Sequence, residues 1–262
     1  MALPASGTLS LNEIHIEAGG TTATEAGIND ADIRGLIGKS SGTTMSFNEW
    51  YGASSFLTLT AQSNTIVGNS STTITATTPS FAAGDLAIVT IWKLSSSFNA
   101  YPTTPTGFTS IATATADGVI SNKGGTYFYY HRMRTCYKVL TAGDTSITSS
   151  SNGANMMSVE VYRPSTTITT VTAQDVATTS SNTINCSASS VATIAFGASG
   201  RYGGTFPTHT WGAGPTVNQA LTYLRAGSYV QGASPSDVTW SSNSYASNEF
   251  RTIFTSGYLE VS

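Results

Sequence analysis

Between residues 86 and 92 the chain is apolar at nearly every position, Leu86-Ala87-Ile88-Val89-Thr90-Ile91-Trp92. A run this short and this rich in β-branched residues predicts a central strand buried on both faces. A longer stretch, 126–140, alternates instead. Tyr127, Tyr129, His131, Met133, Thr135, Tyr137 and Val139 share one face, and Phe128, Tyr130, Arg132, Arg134, Cys136, Lys138 and Leu140 share the other, so a solvated face is expected over 132–138. Further strand patterns fall at 73–77, 108–113, 156–162, 168–173, 190–196, 220–224, 228–231, 238–241 and 250–261, separated by Gly, Ser, Asn and Pro. Strands at this spacing with turn residues between them predict a mainly β chain whose residues 55–262 form an antiparallel β-sandwich, jelly-roll-like in kind. The Gly-rich stretch 197–216 reads as a long loop carrying Arg201, Tyr202, His209 and Trp211, a candidate surface-binding loop.

Residues 1–54 have a different texture. Ser10-Leu11-Asn12-Glu13, Asn29-Asp30-Ala31-Asp32 and Ser46-Phe47-Asn48-Glu49 each set a capping residue three positions before an acid. That is the capping-box arrangement, which satisfies two orphan amides of a helix's first turn. Three short helices are expected, stopping at Gly19-Gly20, Gly38 and Gly52. Helices of so few turns are marginal alone and must pack on each other or on a partner. Ile14, Ile33, Leu36, Phe47, Trp50 and Tyr51 are the candidate apolar contacts of this small helical module, toward a partner or toward its own core.

Composition narrows the function. Only 10% of residues are charged, against about 25% in an ordinary soluble domain, yet 39% are hydrophobic and 10% aromatic. The chain should fold, with a surface mostly of hydroxyls and amides. A net charge of −3 and the lack of any Lys/Arg-rich run argue against nucleic acid as a partner. No apolar stretch approaches the roughly 20 residues of a membrane span, and no secretory signal is visible. Cys136 and Cys186 fall in separate strand patterns and are expected to be buried free thiols, a bridge between them being the alternative.

Two sets of short motifs carry a resemblance. Leu3-Pro4-Ala5-Ser6-Gly7-Thr8-Leu9-Ser10-Leu11-Asn12-Glu13-Ile14, then Ile28-Asn29-Asp30-Ala31-Asp32-Ile33-Arg34, then Met45-Ser46-Phe47-Asn48-Glu49-Trp50-Tyr51-Gly52 resemble the opening segment of bacteriophage virion proteins, many from marine and cyanobacterial phages. Those segments begin Leu-Pro-x-Ser-Gly and close on a shorter Met-Ser…Tyr-Gly than the one here. The segment precedes different downstream domains, which implies an attachment module. Gly84-Asp85-Leu86, Pro105-Thr106-Gly107-Phe108-Thr109, Cys136-Tyr137-Lys138-Val139 and Val159-Glu160-Val161-Tyr162-Arg163 are similar to pieces of β-sandwich domains in phage and bacterial surface proteins.

Strong catalytic motifs are absent: no phosphate loop, paired CxxC, HExxH or GxSxG. His15, His131 and His209 lie in unrelated contexts, and the scattered carboxylates cannot be paired from sequence. With these motifs absent, the resemblance implies a non-enzymatic phage structural component without metal or cofactor, tail-fibre or baseplate-associated, with contact to a host-surface glycan. The alternatives are a capsid decoration or head-fibre protein and a carbohydrate-binding module. Its partners would be other virion proteins and copies of itself, with a homotrimer expected from the habits of fibres. It would be made in the host cytoplasm and reside in the virion.

Overall fold

The computed structural model describes residues 3–4, 6–18, 22, 24–30, 33–34, 36–37, 39, 42–51, 57–67, 72–95, 100–122, 125–150, 154–164, 167–179, 181–185, 192–201, 209–211, 219–220, 224–231, 237–242 and 252–262. The protein is mainly β with antiparallel sheets. In chain order the elements are a helix α1 (Leu11–Glu17), a 3-10 turn (Phe47–Trp50), and strands β1 (Leu57–Val67), β2 (Thr73–Thr77), β3 (Leu86–Ser95), β4 (Thr109–Asn122), β5 (Gly125–Val139), β6 (Ser146–Ser150) and β7 (Ala154–Pro164). There follow β8 (Val171–Ala177), β9 (Ser181–Ile184), β10 (Ala192–Arg201), β11 (His209–Trp211), β12 (Gln219–Ala220), β13 (Leu224–Gln231), β14 (Val238–Ser242) and β15 (Thr252–Val261).

The strands form four layers. A two-stranded sheet β2-β6 covers a five-stranded sheet β1-β7-β3-β5-β4; that sheet packs on a second, β12-β13-β10-β15-β8, which is covered in turn by β11-β14-β9. Side-chain alternation assigns the cores. In the first five-stranded sheet Ala87, Val89, Ile91, Met157, Val159 and Val161 face Ile74, Ala76 and Ile147 of the outer pair. From its other face Leu86, Ile88, Trp92 and Met156 meet Ile194, Ala198, Leu224, Ile253 and Leu259 of the second sheet. Ile184, Val238 and Trp240 close the far side over Ala195, Phe254 and Tyr258. The expected sandwich is thus the middle of the molecule, and each of its sheets carries a further β layer.

This layering explains the apolar run. All ten residues of β3 are buried, as the strand lies between β7 and β5 with a sheet above and below. Each fully buried aliphatic side chain there contributes roughly 1.5–3 kcal/mol. Residues 192–200 of β10 are likewise all buried. Here small residues do the packing: a Cβ on Gly200 would lie 2.0 Å from Trp92 Cδ1, and one on Gly197 would lie 2.2 Å from Trp240 Nε1. The two glycines point to opposite faces of β10, and each receives an indole. The stretch 197–216 is accordingly not one loop, since β10 continues through Gly197 to Arg201 and β11 occupies 209–211.

The described residues of the amino-terminal segment form their own core. Leu3, Leu9, Ile14, Ile33 and Trp50 are buried together, with Leu11, Leu36, Ile37, Met45 and Tyr51 partly buried around them. No described helix is long and apolar enough to cross a membrane. The expected boundary at Ser54 lies outside the described residues.

Candidate functional site

The amino-terminal segment is assembled by the devices its sequence announces. The Glu13 carboxylate accepts from the Ser10 amide at 2.7 Å, and the Ser10 hydroxyl accepts from the Glu13 amide at 3.2 Å, starting α1. At the 3-10 turn the Glu49 carboxylate accepts from the Ser46 amide at 3.3 Å, and the Glu49 amide donates to the Ser46 carbonyl at 2.9 Å. These bonds hold both carboxyls below the usual Glu range: at Glu13 through the Ser10 amide and then its hydroxyl, at Glu49 through Lys39 first and the Ser46 amide second. Of the middle box, Asp32 lies outside the described residues; the Asp30 carboxylate accepts from the Gly27 amide at 2.7 Å, and the Arg34 amide donates to the Asp30 carbonyl at 3.0 Å.

Two long-range bonds tie the segment together. Trp50 Nε1 donates to the Ile33 carbonyl at 3.0 Å, and the Tyr51 hydroxyl donates to the Gly7 carbonyl at 2.5 Å. Ile14, Ile33 and Trp50 are 0% exposed, which places them in the segment's own core rather than on its surface. Leu36 and Tyr51 are half-buried, while Phe47 is 40% exposed and Ile16 44%. Phe47 is thus the expected contact most open to a partner, and Ile16 is one that the pattern reading passed over.

In the β layers the resembling motifs mate in pairs. Asp85 is 2% exposed and takes a bidentate pair from Arg163, Nε to Oδ1 at 3.1 Å and Nη2 to Oδ2 at 2.9 Å. Lys138 reaches Asp144 at 2.5 Å and lies 5.8 Å over the Phe108 ring, beside Gly107, whose φ of 77° shapes the turn. One motif strand therefore anchors another across the sheet.

The face of β5 expected to be solvated is instead covered by residues 100–108. Lys93 Nζ donates to the Ala100 carbonyl at 2.9 Å; Arg134 donates from Nε to the Pro102 carbonyl at 2.7 Å and from Nη1 to the hydroxyls of Thr104 and Ser110 at 3.0 and 2.8 Å. The Arg132 guanidinium lies 5.8 Å from the Tyr101 ring and 5.5 Å from that of Tyr130, and Arg134 lies 5.8 Å from Tyr101. Burial, and then the charge of Arg132, push the Lys93 ammonium below its ordinary value. Alternation alone could not reveal this arrangement, because the covering residues come from another part of the chain.

Between the two large sheets lies a polar seam. Thr135 Oγ1 is 3.3 Å from that of Thr90 and 3.2 Å from that of Thr255. The Glu160 carboxylate accepts from the Tyr162 hydroxyl at 2.8 Å and the Ser228 hydroxyl at 2.5 Å, and Tyr162 also meets Ser228. Beside them Ile88, Ser158, Phe196 and Ala226 help to line a cavity of about 10 Å³, room for a single water. The seam positions the sheets and is too small to admit a substrate.

Arg201 stands at the end of β10, and His209 and Trp211 stand in β11, with Trp211 opposite Trp240 in register. Their side chains, Tyr202 and Cys186 lie outside the described residues. Cys136 is a buried free thiol, its Sγ 3.6 Å from the Val89 carbonyl. No group of three His, Cys, Asp or Glu side chains among the described residues is arranged to hold a metal ion. Comparison of the chain with models of protein families, with curated proteins and with solved structures finds no match.

Proposed function

We propose that this chain is a non-enzymatic structural component of a phage particle, tail-fibre or baseplate-associated, in which the first 54 residues attach to another virion protein and the β layers project toward the host surface. The observation that carries the reading is the amino-terminal core. Leu3, Leu9, Ile14, Ile33 and Trp50, all within the stretches that resemble phage opening segments, bury one another and leave Phe47 and Ile16 outside. An exchangeable attachment module needs that combination, a core of its own and apolar side chains left for a partner. The low-charge layered β body suits an exposed part of a particle, and its surface is the proposed region of glycan contact. A homotrimer remains the proposed assembly.

The test is immunogold labelling, with antibodies to residues 55–262, of the phage particles whose genome encodes this chain. Label confined to the tail or its fibres is expected. Label over the head would replace the tail assignment with capsid decoration, and particles without label would overturn the virion reading. Within labelled particles, Phe47→Ser should lower incorporation several-fold while leaving the melting temperature of the purified chain unchanged; undiminished incorporation would remove Phe47 from the attachment surface.

A further inference from the structure

Lys93 and Arg132 stand directly opposite each other in the β3–β5 ladder, 1% and 3% exposed. Like charges in that position repel, and burial strengthens the repulsion. Arg134 follows on the same face two residues along β5. Asp117 lies opposite Tyr130 in the β4–β5 register. Two half-buried tyrosines, Tyr101 and Tyr130, flank the Arg132 guanidinium.

The cluster is also held still. Tyr101 sits between Ala100 and Pro102, whose carbonyls are taken by Lys93 and Arg134 respectively. Thr103 is pinned as well: its amide donates to the Ser150 carbonyl at 3.0 Å and its carbonyl accepts from the Ser149 hydroxyl at 2.7 Å. Arg134 uses Nε and Nη1 in its three bonds, and Nη2 takes part in none of them. Aromatic rings and a guanidinium fixed beforehand bind without the entropy loss of ordering flexible side chains.

We infer that Tyr101, Tyr130 and Arg134 form a binding site for an acidic saccharide, a tyrosine ring receiving the C–H face of the sugar and Arg134 Nη2 its carboxylate, while the buried Arg132 adds its charge without touching the ligand. The ring face supplies apolar contact and the guanidinium a charge-assisted hydrogen bond. Two arginines at one spot match a single anionic group per sugar, and not the continuous phosphate backbone of a nucleic acid, which calls for a longer basic track. A site of this size binds one unit weakly and gains strength on a polymer through repeated copies. The inference deepens the host-contact part of the proposed function and rests on it only for where the glycan would come from.

The test uses the purified full chain and polygalacturonate as the carboxylated probe, with dextran as the neutral one, in calorimetric titrations at physiological salt. Polygalacturonate should bind at least tenfold more tightly than dextran, and Tyr101→Ala and Arg134→Gln should each weaken it at least tenfold. Melting curves check the folding of both variants. Phenylglyoxal footprinting of the unaltered chain needs no substitution: bound polygalacturonate should protect Arg134. Failure to bind, or binding that survives Tyr101→Ala with Arg134 unprotected, would overturn the site. Neither result bears on where the chain sits in a particle, which labelling decides separately.

Discussion

The Trp92 indole of β3 occupies the space that Gly200 of β10 leaves by having no side chain, so closely that a Cβ there would stand 2.0 Å from Cδ1. The ring is rigid and 0% exposed, and it has nowhere to move. Gly200→Ala should therefore cost about 3 kcal/mol, at the upper end of overpacking effects. A smaller partner, Trp92→Leu, should make the alanine less harmful, so the two losses should not add in a double-mutant cycle measured by urea unfolding. Simple additivity would mean that the ring does not depend on the glycine.

Trp50 ties the amino-terminal core through its burial and its bond to the Ile33 carbonyl. Trp50→Phe removes the donor and some volume, for a local loss of about 2 kcal/mol. The β layers share no members with that core. Trypsin should then cut faster at Arg34 and Lys39 while cleavage within the strands stays slow. Equal protection of Arg34 and Lys39 in the variant and the original chain would contradict this.

Burial alone would raise the Asp144 carboxyl, but bonds from Lys138 and from the Thr141 amide and hydroxyl outweigh it and hold the group below the usual Asp range. A folded-state pKa below the unfolded one adds stability that is full above the unfolded value, about 3.9, and is lost as pH falls through the folded value. Lys138→Gln should reduce stability by about 1 kcal/mol at neutral pH. It should also shift the acid limb of a stability-against-pH curve upward. Acid limbs that superimpose after scaling would show that Lys138 is not what lowers the carboxyl.

Burial pushes the Cys136 thiol up to about 12. At pH 8 only about one molecule in 10⁴ then carries the thiolate, the form that reacts. Iodoacetamide should leave the Cys136 peptide unlabelled in native buffer and label it fully in guanidinium, read by mass spectrometry. Labelling at the rate of an exposed cysteine would place Cys136 outside the core.

The sequence was legible where a local rule decides the outcome. Ser10 and Glu13 form their reciprocal bonds as three-residue spacing predicts, Glu49 reaches back to the Ser46 amide, and the apolar run 86–92 is a strand buried on both faces. β2 occupies the expected 73–77. β6 was not expected, because Ile147 is its one large apolar residue among serines and threonines. It becomes a strand by pairing with β2, some seventy positions earlier. The cation site escaped for the same reason: Arg132 looks solvated on an alternating strand until residues 100–108 cross it. Among the attachment candidates, periodicity found the apolar residues, but only the fold separates buried Ile14, Ile33 and Trp50 from exposed Phe47.

The pairing of β1 with β7 also sets a timetable. Leu57 is matched to Pro164, so the first large sheet cannot close until more than a hundred further residues have been synthesised. β3 gains its first partner in β5, about 45 residues later, and its second in β7, so at translation speeds of roughly 5–20 residues per second both β1 and β3 stand unpaired for seconds. Distant pairings of this kind slow folding. β1 crosses that interval with its large apolar residues confined to its two ends, and the Thr, Gln, Ser and Asn between them give a nascent chain little to aggregate through. β3 has no such protection, which makes it the segment on which a ribosome-associated chaperone would act first.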